Sequence, residues 1–313
     1  MKRGLVEWDP GEVPRSVLDS RVERVRAWGR ERGLDTVLFH TSDSHTQPVR
    51  YLTHFLLYWN EGVLVVPTDA ASEPVLVYGL SGRVIEWVRR TSTLTQAITA
   101  RDIGASVASL LGERGYQQIG VAEPEAFPAT TLGKIATWTD ASPVVAALGL
   151  DEGERGLRLT AQRLCEAGFA GLEPEQSQWR AASVFCGTAR RGGAEDVSLL
   201  IGEPPGWPRL PREGTLPSGA FLLGRVEYKG AWHQAARTLG LSTAPSWFAD
   251  LLVTVQPGVR VGDLPARVQD LSGPAPFRQL GPNQTLRAEQ MVAVTALRDS
   301  VLWGETLLLG GSG

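Results

Sequence analysis

The order of hydrophobic segments changes character near residue 149, and that change constrains the fold more than any other feature of the 313-residue chain. Upstream, short apolar runs alternate with stretches of helical period. Residues 16–32 place Val17, Val22, Val25 and Trp28 at mixed three- and four-residue spacing, with Gly33 following as a helix stop. Thr36-Val37-Leu38-Phe39 and residues 62–67, 74–78, 119–121 and 143–146 read as strands, and residues 103–114 as a helix ending at Gly115. Strands alternating with helices predict an α/β layer. A polar, Gly-containing stretch at 149–156 then acts as a boundary, and Trp87 and Trp179 fall in helical patterns that read as core. Beyond the boundary come helices at 154–167 and 175–189, strands at 195–201, 220–228 and 231–241, helices at 245–255 and 261–271, and paired strands at 290–297 and 301–309. Elements segregated in this way predict an α+β arrangement. The expectation is therefore two domains, α/β over residues 1–148 and α+β over residues 149–313, which suits a chain length of about 150 residues per domain.

Composition removes several function classes. With 31 Lys+Arg against 34 Asp+Glu and a net charge of −3, the chain has no polycationic footprint for nucleic acid. No run approaches the ~18 apolar residues of a membrane span. The start, Met1-Lys2-Arg3-Gly4-Leu5-Val6-Glu7, meets charge and then Pro10 before any apolar core develops, so no export signal is expected. With only Cys165 and Cys186, the expected compartment is the cytoplasm and the expected state two buried free thiols. Four histidines leave little for a His-rich metal centre. Gly-x-Ser-x-Gly, His-Glu-x-x-His and Walker patterns are missing, and the prolines of Gly202-Glu203-Pro204-Pro205-Gly206 remove the N–H donors a phosphate cradle needs.

Several stretches together resemble one family, the pita-bread metallopeptidases: proline dipeptidase (prolidase), aminopeptidase P and the metal-free relative creatinase. Val49-Arg50-Tyr51-Leu52-Thr53-His54-Phe55 is similar to the family's Arg-Tyr-Leu-Thr-Gly-Phe, with His54 where Gly is usual. Residues 218–239 resemble the strand pair Gly-Asp-x-Val-x-x-Asp-x-Gly…Gly-Tyr-x-x-Asp-x-Thr-Arg-Thr, with Gly230 at the central Gly and Arg237-Thr238 at the closing pair. Gln290-Met291-Val292-Ala293-Val294 resembles Gly-Met-Val-Phe-Thr-Ile-Glu-Pro, and Gly304-Glu305-Thr306 the final Arg-Ile-Glu-Asp. The resemblance spans nearly the whole chain. It implies a creatinase/prolidase-like α/β domain, a C-terminal pita-bread α+β domain, and a homodimer.

The family holds two divalent ions with two Asp, one His and two Glu, because hard dications at a water-bridged centre need several anionic oxygens. Carried over by position, the first Asp becomes Leu223, the second Gln234 and the first Glu Ala296, leaving Glu305 alone. No histidine follows His233, so the ligand His is lost as well. The resemblance therefore implies no metal and no cofactor, and a degenerate site that binds a small molecule or peptide. Solitary Glu305 must be exposed, protonated or paired, and Arg237 on the neighbouring strand is the candidate partner.

The alternatives are a metal-independent, creatinase-like hydrolase of small C–N substrates and a divergent Xaa-Pro dipeptidase. Catalytic candidates for the former are Glu305, His233 and His45. His45 also reads simply as part of the polar loop 40–45, and His233 points away from the pocket if Gln234 points into it. The family's substrate-side histidine falls at Arg209, too basic for a general base near neutral pH. Arg209, Arg237, Trp232 and Trp303 are the substrate-binding candidates. Trp207, Trp232, Trp247 and Trp303 lie on segments that the resemblance places around the pocket, where they either fill a vacated site or line an apolar one.

Overall fold

The computed structural model describes residues 6–272 and 276–310. The chain divides into two compact units, Met1–Arg155 and Gly156–Gly313.

The first unit contains α1 (Arg15–Arg30), β1 (Thr36–Ser42), α2 (Gln47–Thr53), β2 (Glu61–Pro67), β3 (Val75–Tyr78), α3 (Ile85–Thr91), β4 (Gln96–Thr99), α4 (Ile103–Glu113), β5 (Ile119–Ala122), α5 (Ala129–Leu132), β6 (Thr139–Asp140) and α6 (Pro143–Ala147). Its sheet runs β4-β3-β2-β1-β5-β6, with β2 antiparallel to both neighbours and the other pairings parallel. Central strands read as unbroken apolar runs because both faces are covered. Phe39, Leu64, Val66 and Leu76 pack with Val22 and Val25 of α1 and Val49 and Leu52 of α2. Leu38, Val63, Val65 and Val77 pack on the other side with Val107, Leu110 and Leu111 of α4. His54 takes φ 64 at the C-terminal cap of α2, the left-handed geometry that makes Gly usual at this position of the motif.

Two expectations are corrected here, the second reaching into the other unit. Residues 143–146 form α6 rather than a strand, because Pro143 at the first helical position is set for a helix start. Trp87 and Trp179 are 44% and 61% exposed, so neither is core. Residues of the 149–156 stretch are tied into this unit by ion pairs. The fully buried Arg50 pairs with Glu154, and Arg21 Nε donates to Asp151 Oδ2 at 2.6 Å, so two ionic anchors hold this stretch against α1 and α2.

A helix, α7 (Glu152–Ala170), begins inside that stretch, and the division between the units falls within it. The second unit continues with α8 (Gln178–Arg191), β7 (Asp196–Gly202), β8 (Phe221–Tyr228), β9 (Ala231–Thr238), α9 (Ser246–Thr254), β10 (Arg267–Asp270), β11 (Arg278–Gln279), β12 (Met291–Arg298) and β13 (Val301–Leu308). Residues 261–271 form a single 3₁₀ turn at Val261–Asp263 and then β10, not the expected helix, since Pro265 would interrupt a helical ladder at mid-span. The seven strands are antiparallel in the order β11-β10-β12-β13-β9-β8-β7.

Strand alternation sorts this sheet into two faces. Leu222, Val226 and Ala235 pack under α7 and α8 against Cys165, Ala181 and Phe185. Val292, Val294, Ala296 and Trp303 pack on the same face under Phe248 and Leu251 of α9. The opposite face carries Leu223, Arg225, Trp232, Gln234, Ala236, Ala293, Thr295, Gly304 and Thr306. That face is strongly concave. Gln234 on β9 and Gln269 on β10 have two strands between them, about 14 Å across a flat sheet. Yet Gln234 Nε2 donates to Gln269 Oε1 at 2.9 Å, so the sheet curls until the two side chains meet.

Candidate functional site

The concave face is where the first two ligand positions, Leu223 and Gln234, point. Leu223 is buried in an apolar cluster with Phe221, Ala236 and Leu302. Gln234, also buried, is held on three sides: Thr306 Oγ1 bonds its backbone N–H and C=O, Arg225 Nε donates to its Oε1 at 2.8 Å, and its Nε2 reaches Gln269. The other two positions do not join them. In the register Val294↔Glu305, Ala296↔Trp303 and Gly304↔Ala236, Ala296 and Glu305 lie on the helix-covered face. The expected convergence of Leu223, Gln234, Ala296 and Glu305 on one site is therefore corrected: strand alternation sends them to opposite sides of the sheet. Their concave-face neighbours are Thr295, Gly304 and Thr306. A side chain at Gly304 would meet Thr295 Oγ1 at 2.8 Å and the Ala236 Cβ at 3.1 Å, so the floor of the hollow is closed.

These donors do not fit a pair of dications. An alkyl group, an amide, two hydroxyls and a glycine supply no anionic oxygen where hard cations need several. The face carries charge of both signs, with Glu227 buried on β8 beside Arg225 and opposite Trp232. Arg225, half-buried, lies with its Cζ 4.3 Å from the Phe277 ring centroid, and burial works against its charged form with no carboxylate offsetting it. Trp232 meets Phe277 edge-on at 5.0 Å, and Arg267 stacks 3.7 Å from the Trp207 centroid. Of the four tryptophans expected around the pocket, Trp207 and Trp232 belong to this face, while Trp303 and Trp247 pack on the other. Arg209 has an exposed side chain, and its backbone bridges to Ile201.

The helix-covered face gathers the catalytic candidates instead. Arg237 Nη2 sits 2.7 Å from Glu305 Oε1 and also pairs with Glu166, while its Cζ stacks 4.5 Å from the Trp303 ring. The expected Arg237–Glu305 pair is thus present. Glu166, His233 and Glu305 offer ligand atoms within 4.8 Å of one another, the spacing a metal ion could use. The Arg237 guanidinium already pairs with both carboxylates there. Burial raises the Glu305 carboxyl above its usual range despite Arg237. Burial, with Arg237 adding to it, holds His233 at about 3, so this histidine is neutral and turned away from the concave face. Arg237 and Trp303 are consumed in the same packing and do not line the hollow.

His45 belongs to the first unit. Its Nε2 lies 3.5 Å from Glu123, and its ring stacks on His40 at 5.8 Å, while His40 Nε2 lies 3.3 Å from Glu61. Burial lowers His45 to about 4 and raises Glu123 to about 7, and both histidine Nδ1 atoms are buried without a partner. The polar-loop reading of residues 40–45 did not anticipate this packed set. Arg225 and Gln269 were also missed. The one signal for Arg225 was its place two residues from Leu223, hence on the same face.

No protein-family model matches the chain, and no curated protein matches it in sequence. Solved structures do. An Xaa-Pro dipeptidase from Bacillus anthracis superposes with a TM-score of 0.65 at 14% identity, covering 95% of this chain and 96% of its own. A prolidase from Pyrococcus furiosus gives 0.65 at 12% identity over 93% and 97%. An X-Pro aminopeptidase from Thermotoga maritima gives 0.68 at 13% identity over 93% and 95%. The chain has the pita-bread fold along almost its full length.

Proposed function

We propose that this chain is a prolidase-like protein without metallopeptidase activity, which works by binding a small-molecule or peptide ligand on the concave face of its C-terminal sheet. One observation carries the reading: the residues turned into that hollow at the metal-ligand positions and beside them are Leu223, Gln234, Thr295, Gly304 and Thr306, with no carboxylate among them. A creatinase-like hydrolase acting through Glu305 and His233 is disfavoured, since both lie on the helix-covered face, Arg237 already holds Glu305, and burial leaves His233 too weak a base. The reading includes two domains, residues 1–148 and 149–313, a homodimer and a place in the cytoplasm. Among the described residues no helix is long and apolar enough to cross a membrane.

Elemental analysis of the purified protein, with Xaa-Pro dipeptide hydrolysis assayed with and without manganese, tests the reading. The expected result is less than one equivalent of any divalent transition metal and no manganese-stimulated turnover. Two bound ions per chain, or turnover that rises with manganese, would overturn it.

A further inference from the structure

Arg225 is a half-buried guanidinium on the concave face that pairs with no carboxylate among the described residues. Its Nε–H is committed to Gln234 Oε1 at 2.8 Å, and its flat face rests on Phe277. Gln234 is itself fixed by Thr306 and Gln269, so the guanidinium is held at its base by a side chain that cannot easily turn. The residue is only half-buried, and among the described residues its Nη groups pair with no carboxylate. A guanidinium oriented before binding, with two parallel N–H donors free and an aromatic wall beside it, matches the two oxygens of a carboxylate better than any other common group. Phosphate is a poorer match, because its higher charge calls for several converging donors, and the other arginine on this face, Arg267, is engaged over Trp207.

We propose that Arg225 anchors the carboxylate of a small organic acid, whose apolar or aromatic body lies against Trp232 and Phe277. The inference rests on the reading of the concave face as a binding surface and names its ligand class. Desolvation of the guanidinium, which costs the free protein, strengthens the pair once an anion arrives.

Isothermal titration of the full chain with benzoate, phenylacetate and N-acetyl-phenylalaninate tests it, with benzamide as the neutral isostere and inorganic phosphate as the competing oxyanion. At least one of the three carboxylates is expected to bind, at least about tenfold more tightly than benzamide or phosphate, as a charge-assisted bidentate pair implies. Arg225→Gln is expected to abolish that preference, and Arg225→Lys to weaken it by losing the fork while keeping the charge. Unchanged thermal midpoints for both variants keep the comparison free of folding effects. The proposal is overturned if no carboxylate binds up to about 10 mM, a range already weaker than millimolar affinity. It is equally overturned if binding survives Arg225→Gln, or if phosphate binds as well as the carboxylates. Metal content and manganese-stimulated turnover are separate readings, so a metal-dependent enzyme with an Arg225-bound carboxylate would sink the metal-free reading alone.

Discussion

The two faces of the C-terminal sheet each carry one partly buried arginine, in opposite circumstances. Under the helices, Arg237 touches Glu166 and Glu305, stacks on Trp303 and donates to the Gly304 carbonyl at 2.9 Å. In the hollow, Arg225 has one amide and one aromatic ring. The first is a closed ionic unit whose neighbours need it. The second is an open one whose charge waits on something from outside. Partial burial alone does not separate structural from functional arginines; the inventory of opposing charges does.

The largest expected effect comes from returning charge to the hollow. Replacing Leu223 and Gln234 together by Asp puts two carboxylates into the buried floor, at a cost of at least about 5 kcal/mol. Circular dichroism against urea should show a chain that is largely unfolded, with or without manganese. Rescue by the metal would break the contrast between the faces, since it would mean the hollow still completes a dication shell. Next, Arg237→Leu leaves Glu166 and Glu305 without their cation and is expected to cost about 3–5 kcal/mol, whereas Arg225→Leu, which removes one hydrogen bond to Gln234, costs about 1–2 kcal/mol. Equal losses in urea denaturation would erase the distinction. Gln269→Ala, which cuts the bond across the hollow, is expected to cost about 1–2 kcal/mol. The smallest effect is on pH dependence. Glu305 is raised in the folded state, so it holds its proton more tightly there than in the unfolded chain. Its contribution is complete below the ordinary carboxylate range and is lost as pH rises through the raised folded value. Glu305→Gln should flatten the fall in thermal midpoint across that window, and Arg225→Gln should leave it alone.

Much of the fold could be read from residue pattern because the pattern has a direct physical cause. Apolar runs such as 62–67 are strands covered on both faces, and the switch of element order near 149 separates two architectures. Local chemistry misled in two places: Val144-Val145 suggested a strand where Pro143 starts a helix, and the apolar spacing of 261–271 masked the break at Pro265. The candidate site was harder. Alternation placed His233 and Gln234 on opposite faces, as the structure has them. Ala296 and Glu305 were located by counting from short motifs, and a count that is off by one moves a strand residue to the other side of its sheet. The bond from Gln234 to Gln269 depends on curvature across two intervening strands, and no spacing along the chain encodes that.

The amide pair that spans the hollow also decides how the hollow answers its surroundings. Neither glutamine titrates, so no proton can push their two strands apart, and added salt has little there to screen. A basin spanned by paired carboxylates would swell or tighten with acidity; this span is a fixed mould, and what varies beside it is whether an anion has settled on the guanidinium that the amide orients.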